Sequence, residues 1–333
     1  NNNNKQRKNM NNFKKIGLTA LAASLVSTSV FAGELTASGG ASLTVEGYSG
    51  TNAQTDTAFS MGDSVTLSGS TELDNGMTVT MAFELDGDAE ADSTTSAYDD
   101  NSLTLSSDAM GTLKFSAHGG SSAASALDTT AAGDMWDNFD GLVTGAVTTN
   151  AAGAGENSFF YTLPSMVDGL SVSASLNTAG TTGNSALGYS ATYAGVEGLS
   201  ISFGVADIES GAASTTGDQT AMKASYAYGP VTVAYSNSEY DIGTTSDEAS
   251  EQEVSSYSVS YTVSDSLSVT YGSETIESGL AGSIDAEYEG ISAAYTAGGM
   301  TITAKRQEGD NISHVTATTD NYDYWSLGLS FAF

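Results

Sequence analysis

The chain has 333 residues, 40 of them acidic and 9 basic, for a net charge of −31, and it contains no cysteine. Five of the nine basic residues, Lys5, Arg7, Lys8, Lys14 and Lys15, precede the first acid, Glu34, so from Gly33 onward 4 basic residues face 40 acidic ones. A surface so acidic repels polyanions and excludes a nucleic-acid partner, and the missing thiols exclude disulfides and thiolate metal sites.

From Met10 the chain runs through Lys14 and Lys15, an apolar stretch at Ile16–Val26 and the small-residue end Val30-Phe31-Ala32. That order is the pattern of a secretory leader, with cleavage expected after Ala32. Residues 1–9 are expected to be an upstream extension of the reading frame, leaving 33–333 as a single domain. The apolar stretch is shorter than the roughly 20 residues of a transmembrane helix.

After Ala32 no 18-residue apolar run occurs, and period-2 alternation takes its place. MTVTMAFEL at 77–85 places Met77, Val79, Met81, Phe83 and Leu85 on one face; LSVSASL at 170–176, LSISFGV at 199–205, VTVAY at 231–235, YSVSYTV at 257–263, LSVTY at 267–271 and MTITA at 300–304 repeat it. Alternation of this length predicts strands with one apolar and one polar face. Tight-turn residues such as Asp74-Asn75-Gly76, Asp168-Gly169 and Gly229-Pro230 alternate with long acidic Gly/Ser/Thr-rich connections.

This predicts sixteen antiparallel strands starting near 34, 64, 77, 101, 112, 156, 170, 185, 199, 219, 231, 253, 267, 283, 300 and 322. An even number lets the last strand pair with the first and abolish both edges. Between 283 and 295 the apolar parity slips, Ile284 and Tyr288 on one register and Ile291 and Tyr295 on the other, which predicts a bulge at Glu289-Gly290. Tyrosines recur near strand ends, at Tyr161, Tyr193, Tyr228, Tyr235, Tyr261, Tyr271, Tyr288 and Tyr295. Phenols so placed suit the aromatic girdles of a barrel in lipid. The chain closes on WSLGLSFAF, with Trp325, Leu327, Leu329, Phe331 and Phe333 on one face.

The leader, the alternation of turns and loops, NSFFYTLPSMVDGLSVSASL at 157–176 and the terminal WSLGLSFAF resemble the Gram-negative general diffusion porin family over essentially the whole mature chain. That resemblance implies an all-β, sixteen-stranded antiparallel barrel spanning the outer membrane, usually a homotrimer, with its third long loop folded into the lumen. The segment 119–155 is the third long connection in chain order, after 50–63 and 87–100. The function implied is a water-filled channel for small hydrophilic solutes and ions, in contact with membrane lipid and with the machinery that assembles outer-membrane barrels. Trp325, Leu327, Leu329, Phe331 and Phe333 then double as the assembly signal. The other reading of the alternation is a secreted or surface-exposed adhesin or surface-layer protein, which would leave the last strand unconstrained.

Within 119–155, GDMWDNFDG spaces Asp134, Asp137 and Asp140 by three, which on a short helical turn aligns three carboxylates at a pore constriction. Met135, Trp136 and Phe139 would anchor the loop to the wall. An acidic eyelet favours cations; the plainer reading is a solvated loop with no role in the pore. The family sets basic residues on the wall opposite such a loop. Here Lys114, Lys223 and Lys305 fall on the polar face by parity, as does His118, but no arginine cluster exists, Arg306 being the only arginine after the leader.

Asp86, Asp88, Glu90 and Asp92 alternate in LDGDAEAD and would offer Ca²⁺ or Mg²⁺ oxygen ligands on one side of an extended chain, though without an EF-hand's spacing. Ala37, Gly39 and Ala41 make the apolar face of the first strand flat and are candidates for a trimer contact. Catalysis has no motif: His118 and His314 are the only histidines, neither lies in a nucleophile pattern, and Gly153–Gly155 lacks the rest of a nucleotide fingerprint. No cofactor is expected beyond that possible ion.

Overall fold

The computed structural model describes residues 34–50, 57–86, 99–140, 142, 157–178, 185–209, 217–242, 251–279, 282–314 and 321–333. The leader, the extension 1–9 and the acids Asp88, Glu90 and Asp92 lie outside the described residues.

Sixteen strands follow in chain order: β1 (Glu34–Gly50), β2 (Ala58–Glu72), β3 (Thr78–Asp86), β4 (Asn101–Ser107), β5 (Gly111–His118), β6 (Ser158–Thr162), β7 (Leu170–Thr178) and β8 (Ser185–Val196). The second half comprises β9 (Leu199–Glu209), β10 (Gly217–Tyr228), β11 (Val231–Ile242), β12 (Gln252–Ser264), β13 (Leu267–Ser278), β14 (Ala286–Ala297), β15 (Met300–Asp310) and β16 (Tyr322–Ala332). Each strand pairs antiparallel with the next, and β16 returns to β1 from Gly40↔Ala332 to Gly50↔Tyr322, closing the barrel. Closure leaves no unpaired edge. No helix among the described residues is long and apolar enough to cross a membrane.

The usual inside-out order of a folded protein is inverted. On β12, Tyr257, Val259 and Tyr261 are 50, 44 and 50 % exposed, while Ser256 and Ser258 between them are 1 and 7 % exposed. Ser175, Ser202, Gln219, Ser236, Gln307 and Ser326 are likewise buried on the inner face. Apolar groups outward and polar groups inward suit a wall between hydrocarbon and water.

Two expectations are corrected. β2 begins at Ala58, six residues before the predicted start at 64, because the alternation already runs through Phe59 and Met61, both largely exposed. Gly62 and Asp63 disguise that period, Asp63 occupying an outward position. The predicted bulge at Glu289-Gly290 is absent: Gly290 pairs with Gly272 on one side and Gln307 on the other in unbroken register. The parity slips because Ile284 precedes β14 and Tyr288 faces inward, whereas Ile291 and Tyr295 face out. Tyr288 is therefore not a girdle residue. The register shifts that do occur lie at strand ends, as between Thr262 and Ser264.

Beyond the β1–β16 ladder the seam is extended by two more hydrogen bonds, the Gly39 N–H donating to the Phe333 carbonyl (3.0 Å) and the Phe333 N–H to the Gly39 carbonyl (2.9 Å). A Cβ on Gly39 would stand 2.5 Å from the Ser64 carbonyl oxygen and 3.0 Å from the Phe333 ring. Gly39 is thus not bare surface between Ala37 and Ala41 but the seat of the terminal ring. Trp325 covers Gly47 in the same way, 2.8 Å from where a Cβ would be.

Candidate channel constriction

The segment after β5 runs along the inner wall, and the wall is shaped to receive it. Ser122 and Ser125 bond each other's backbone N–H groups (2.9 Å each) and open a short 3₁₀ turn, Ser125–Leu127. Here Ala123 and Ala124 are fully buried. They fit because the facing positions are glycines: a Cβ on Gly188 would stand 3.1 Å from the Ala123 nitrogen, and one on Gly204 3.1 Å from the Ala124 Cα. Further along, Gly272 lies beneath Ala132 and Gly309 beneath the Phe139 ring. Four inward glycines form a track on which the loop approaches the wall closely.

Side chains beside the track satisfy the loop's backbone. Ser175 Oγ on β7 accepts from the Ala123 N–H (2.7 Å), Ser236 Oγ on β11 from Ala131 (2.7 Å) and Ser256 Oγ on β12 from Ala132 (3.0 Å). Lys223 Nζ on β10 donates to the Thr129 carbonyl (2.8 Å). Asn138 Nδ2 donates to Gln307 Oε1 on β15 (3.0 Å), and the Tyr48 hydroxyl on β1 donates to the Asn138 carbonyl (2.8 Å).

The central latch is Glu274 on β13, 1 % exposed. One of its oxygens accepts the Thr130 hydroxyl and the other the Trp136 backbone N–H (3.1 Å). A buried carboxylate persists only where donors replace its water, and here both donors come from the loop.

Beyond the latch the chain turns at Asp134, whose φ of 52° is left-handed, and enters a second 3₁₀ turn, Met135–Phe139. Asp134 Oδ1 accepts the Thr130 N–H (2.9 Å), so part of this carboxylate is engaged within the loop. Asp137 and Asp140 are exposed. Residues three apart stack on a 3₁₀ turn, and the field reflects it: Asp137 is raised above the ordinary carboxylate value by burial and then by Asp134 and Asp140, with Lys305 opposing. Asp128 is pushed up to about 6 by burial, against a hydrogen bond from Gln219.

Met135 and Phe139, 3 and 1 % exposed, join a cluster with Val254, Ile276, Ala286, Tyr288, Ile312, Tyr322 and Tyr324, and Trp136 packs half-buried against it. The Phe139 ring lies 5.4 Å from Tyr288 and 6.2 Å from Tyr324. Burying one such ring contributes about 2–3 kcal/mol.

The three lysines occupy different settings. Lys223 lies under the loop and holds it, rather than standing across from the acids. Lys305 is near enough to act on Asp137. Lys114 is on β5, two residues before the inward Ser116. Arg306 faces outward, its Nη2 3.2 Å from Glu308 and 3.3 Å from Asp323. Among the described residues no group of three His, Cys, Asp or Glu could hold a metal ion; of the four acids in 86–92 only Asp86, ending β3, is described.

Sequence reasoning missed Glu274, Ser236, Ser256, Gln307, Tyr48 and the glycine track. Inward parity was their one available signal, and serine, glutamine and glycine are what any water-facing wall carries.

A closed barrel of sixteen strands with an apolar exterior and a loop pinned to its interior is the architecture of an outer-membrane channel. The family model described as Gram-negative porin matches residues 17–333, and the chain belongs to that family, whose members are channels for diffusion across the outer membrane. Among solved structures, an anion-selective porin from Comamonas acidovorans superposes with a TM-score of 0.65 at 16% identity, covering 90% of this chain and 99% of that one. A porin refined at 1.8 Å gives 0.64 at 20% identity, and a double mutant of the Rh. blastica porin 0.63 at 15%, each covering 90% of this chain and 100% of its own. Among curated protein sequences none matches.

Proposed function

We propose that this porin is a cation-preferring diffusion pore whose selectivity is set by the loop carrying Asp134, Asp137 and Asp140. The observation that carries the reading is that these acids sit on a turn fastened to the wall by Glu274 and Phe139, with exposed Asp137 in the combined field of its two neighbours. A cation passing the turn meets fixed negative charge that costs no reorganisation. Lys114 and Lys305 oppose that charge without an arginine cluster to steepen the transverse field. The fold alone does not set the sign, since an anion-selective porin shares it.

The test is conductance of the purified protein in a planar bilayer, with reversal potential measured across a KCl gradient. Cation preference is the expected sign; reversal toward the chloride potential would overturn the eyelet reading, and absence of channel steps the diffusion reading itself.

The subunit contact lies on the β1–β5 side, in a homotrimer. β8–β14 carry nine exposed outward tyrosines, from Tyr189 to Tyr295, whereas β1–β5 carry none. Interfacial phenols mark lipid contact. On β2 an acid, Asp63, takes the outward position opposite Ala41, flanked by Met61 and Val65. A carboxylate against hydrocarbon is costly, and a protein partner that keeps it hydrated or paired removes that cost. The outward residues of β16, Trp325 to Phe333, serve as the assembly signal, so removing Phe333 reduces insertion more than the conductance of the pores that do form.

A further inference from the structure

His314, at the end of the described turn after β15, is 6 % exposed and sits in left-handed backbone, φ 56°. It belongs to the short turn that leaves β15: its N–H donates to the Asn311 carbonyl (2.8 Å). Two bonds then clasp it to the segment that enters β14. The Ile284 N–H donates to the His314 carbonyl (3.2 Å), and the ring Nδ1 lies 2.8 Å from the Ile284 carbonyl oxygen. A carbonyl only accepts, so Nδ1 carries the ring proton. Nε2 is then a bare lone pair, and it is buried without a partner among the described residues.

The clasp is mechanically continuous with the constriction. Ile312, between Asn311 and His314, is fully buried in the cluster that holds Phe139 and Met135. Phe139 and Ile312 both close over Gly309, 3.0 and 3.2 Å from where its Cβ would be. The wall beneath the 3₁₀ turn of the loop is thus completed by the turn that His314 pins.

We propose that His314 is an acid-released clasp: protonation at Nε2 expels the ring, parts the Ile284 and His314 segments, and loosens the seat of Phe139. A second ring proton would be a donor with no acceptor and a charge without water, a combination the docked site disfavours. Titratable and charged groups on the surrounding elements are Asp285 ahead of β14; Tyr288, facing inward, with Glu287 and Glu289 facing outward on β14; Lys305, facing inward, with Arg306, Glu308 and Asp310 facing outward on β15; and Tyr322 and Tyr324, facing inward, with Asp323 facing outward on β16. Burial leaves the imidazole below the ordinary histidine value, outweighing the Ile284 carbonyl and then Asp285, both of which raise it.

The sign follows. With the docked value lowered, docking is fully present above the free-histidine value of about 6.5. It is lost as pH falls from there toward the docked value. Asp128 works oppositely: its docked value of about 6 lies above the free one, so acid strengthens docking of its part of the loop. Loosening on acidification therefore cannot come from Asp128.

The test uses the full protein in lipid nanodiscs, with backbone hydrogen exchange at pH 7.5 and pH 5 corrected for intrinsic exchange. Protection of 282–289 and 309–314 is expected to fall by up to about tenfold per pH unit below 6.5. It should stay flat in His314→Asn, which keeps a donor near Nδ1 and tolerates left-handed backbone but does not titrate. Unchanged protection in the native protein, or an equal fall in H314N, would overturn the clasp. The link to the pore rests on the diffusion reading: open-channel current noise should rise at pH 5 in the native protein and not in H314N. Channels that conduct with equal noise at both pH values would refute that link, whereas a protein that forms no channels would instead refute the diffusion reading, leaving the exchange result to decide the clasp.

Discussion

The β8–β14 and β1–β5 sectors of the barrel share one alternation and differ on both faces. Outside, the first is ringed by tyrosine and the second has none. Inside, the first is carved to fit a loop by Gly188, Gly204 and Gly272, with Ser236, Ser256 and Glu274 meeting the loop's donors. The inner face of the second presents Lys114, and its Tyr48 meets the far end of the loop at the Asn138 carbonyl. Alternation therefore specifies only which side of the wall a residue faces. What it faces, whether loop, water, lipid or another subunit, is written in residue choice within each face, and that can be broken one residue at a time.

The largest effect is expected at Phe139. Truncation to Ala removes a ring 1 % exposed from the centre of the cluster, at a cost of about 3–5 kcal/mol. A lower melting temperature by circular dichroism and a noisier, larger conductance should follow; an unchanged channel would mean that the turn does not define the bore. Glu274→Ala comes next. It strands the Thr130 hydroxyl and the Trp136 N–H, about 1–3 kcal/mol each where they stay buried. Glu274→Gln keeps one acceptor and should fall between the native protein and the alanine variant in current noise.

These two residues show where legibility ended. Phe139 was readable as an anchor because an aromatic in a polar, acidic loop needs somewhere to go. Glu274 was not, since within LSVTYGSETIES a glutamate on the water-facing register looks like any lumenal acid; only the folded loop reveals that it is buried. The same reason explains β14. Tyr288 breaks the outward parity because it packs on Phe139, and without the loop in place a local bulge was the simpler account of that slip. Strand count, closure and the inverted faces were legible because period 2 and turn chemistry are local. Lys223 had the right face and the wrong task, since parity cannot tell a wall that faces water from one covered by a loop.

A smaller effect is expected from Asp137→Asn. By Coulomb's law one charge acting across about 10 Å of water is worth roughly 0.4 kcal/mol, so its removal is expected to change the permeability ratio about twofold. Because burial and the neighbouring acids raise Asp137, the native preference should begin to fade at a higher pH than a free carboxylate would dictate, and D137N should flatten that decline. Reversal potentials between pH 7.5 and 4 measure both. An identical pH profile in the two proteins would place the selective charge elsewhere.

The smallest effect on conduction, and the sharpest test of the two-sector contrast, is Asp63→Arg. Asp63 faces outward from β2, so the single-pore conductance should not change. If β1–β5 form the subunit contact, a reversed charge opposite Ala41 should lower the temperature at which the oligomer dissociates on unheated gels, while the monomer barrel keeps its melting temperature. If that sector faced lipid instead, the sign of the result would move to a different variant. Asp63→Leu would then raise the barrel's melting temperature by removing a carboxylate from hydrocarbon, and the oligomer would be indifferent to either substitution. The two outcomes differ in which equilibrium responds, not only in size, so the pair of variants assigns the tyrosine-free sector to protein or to lipid.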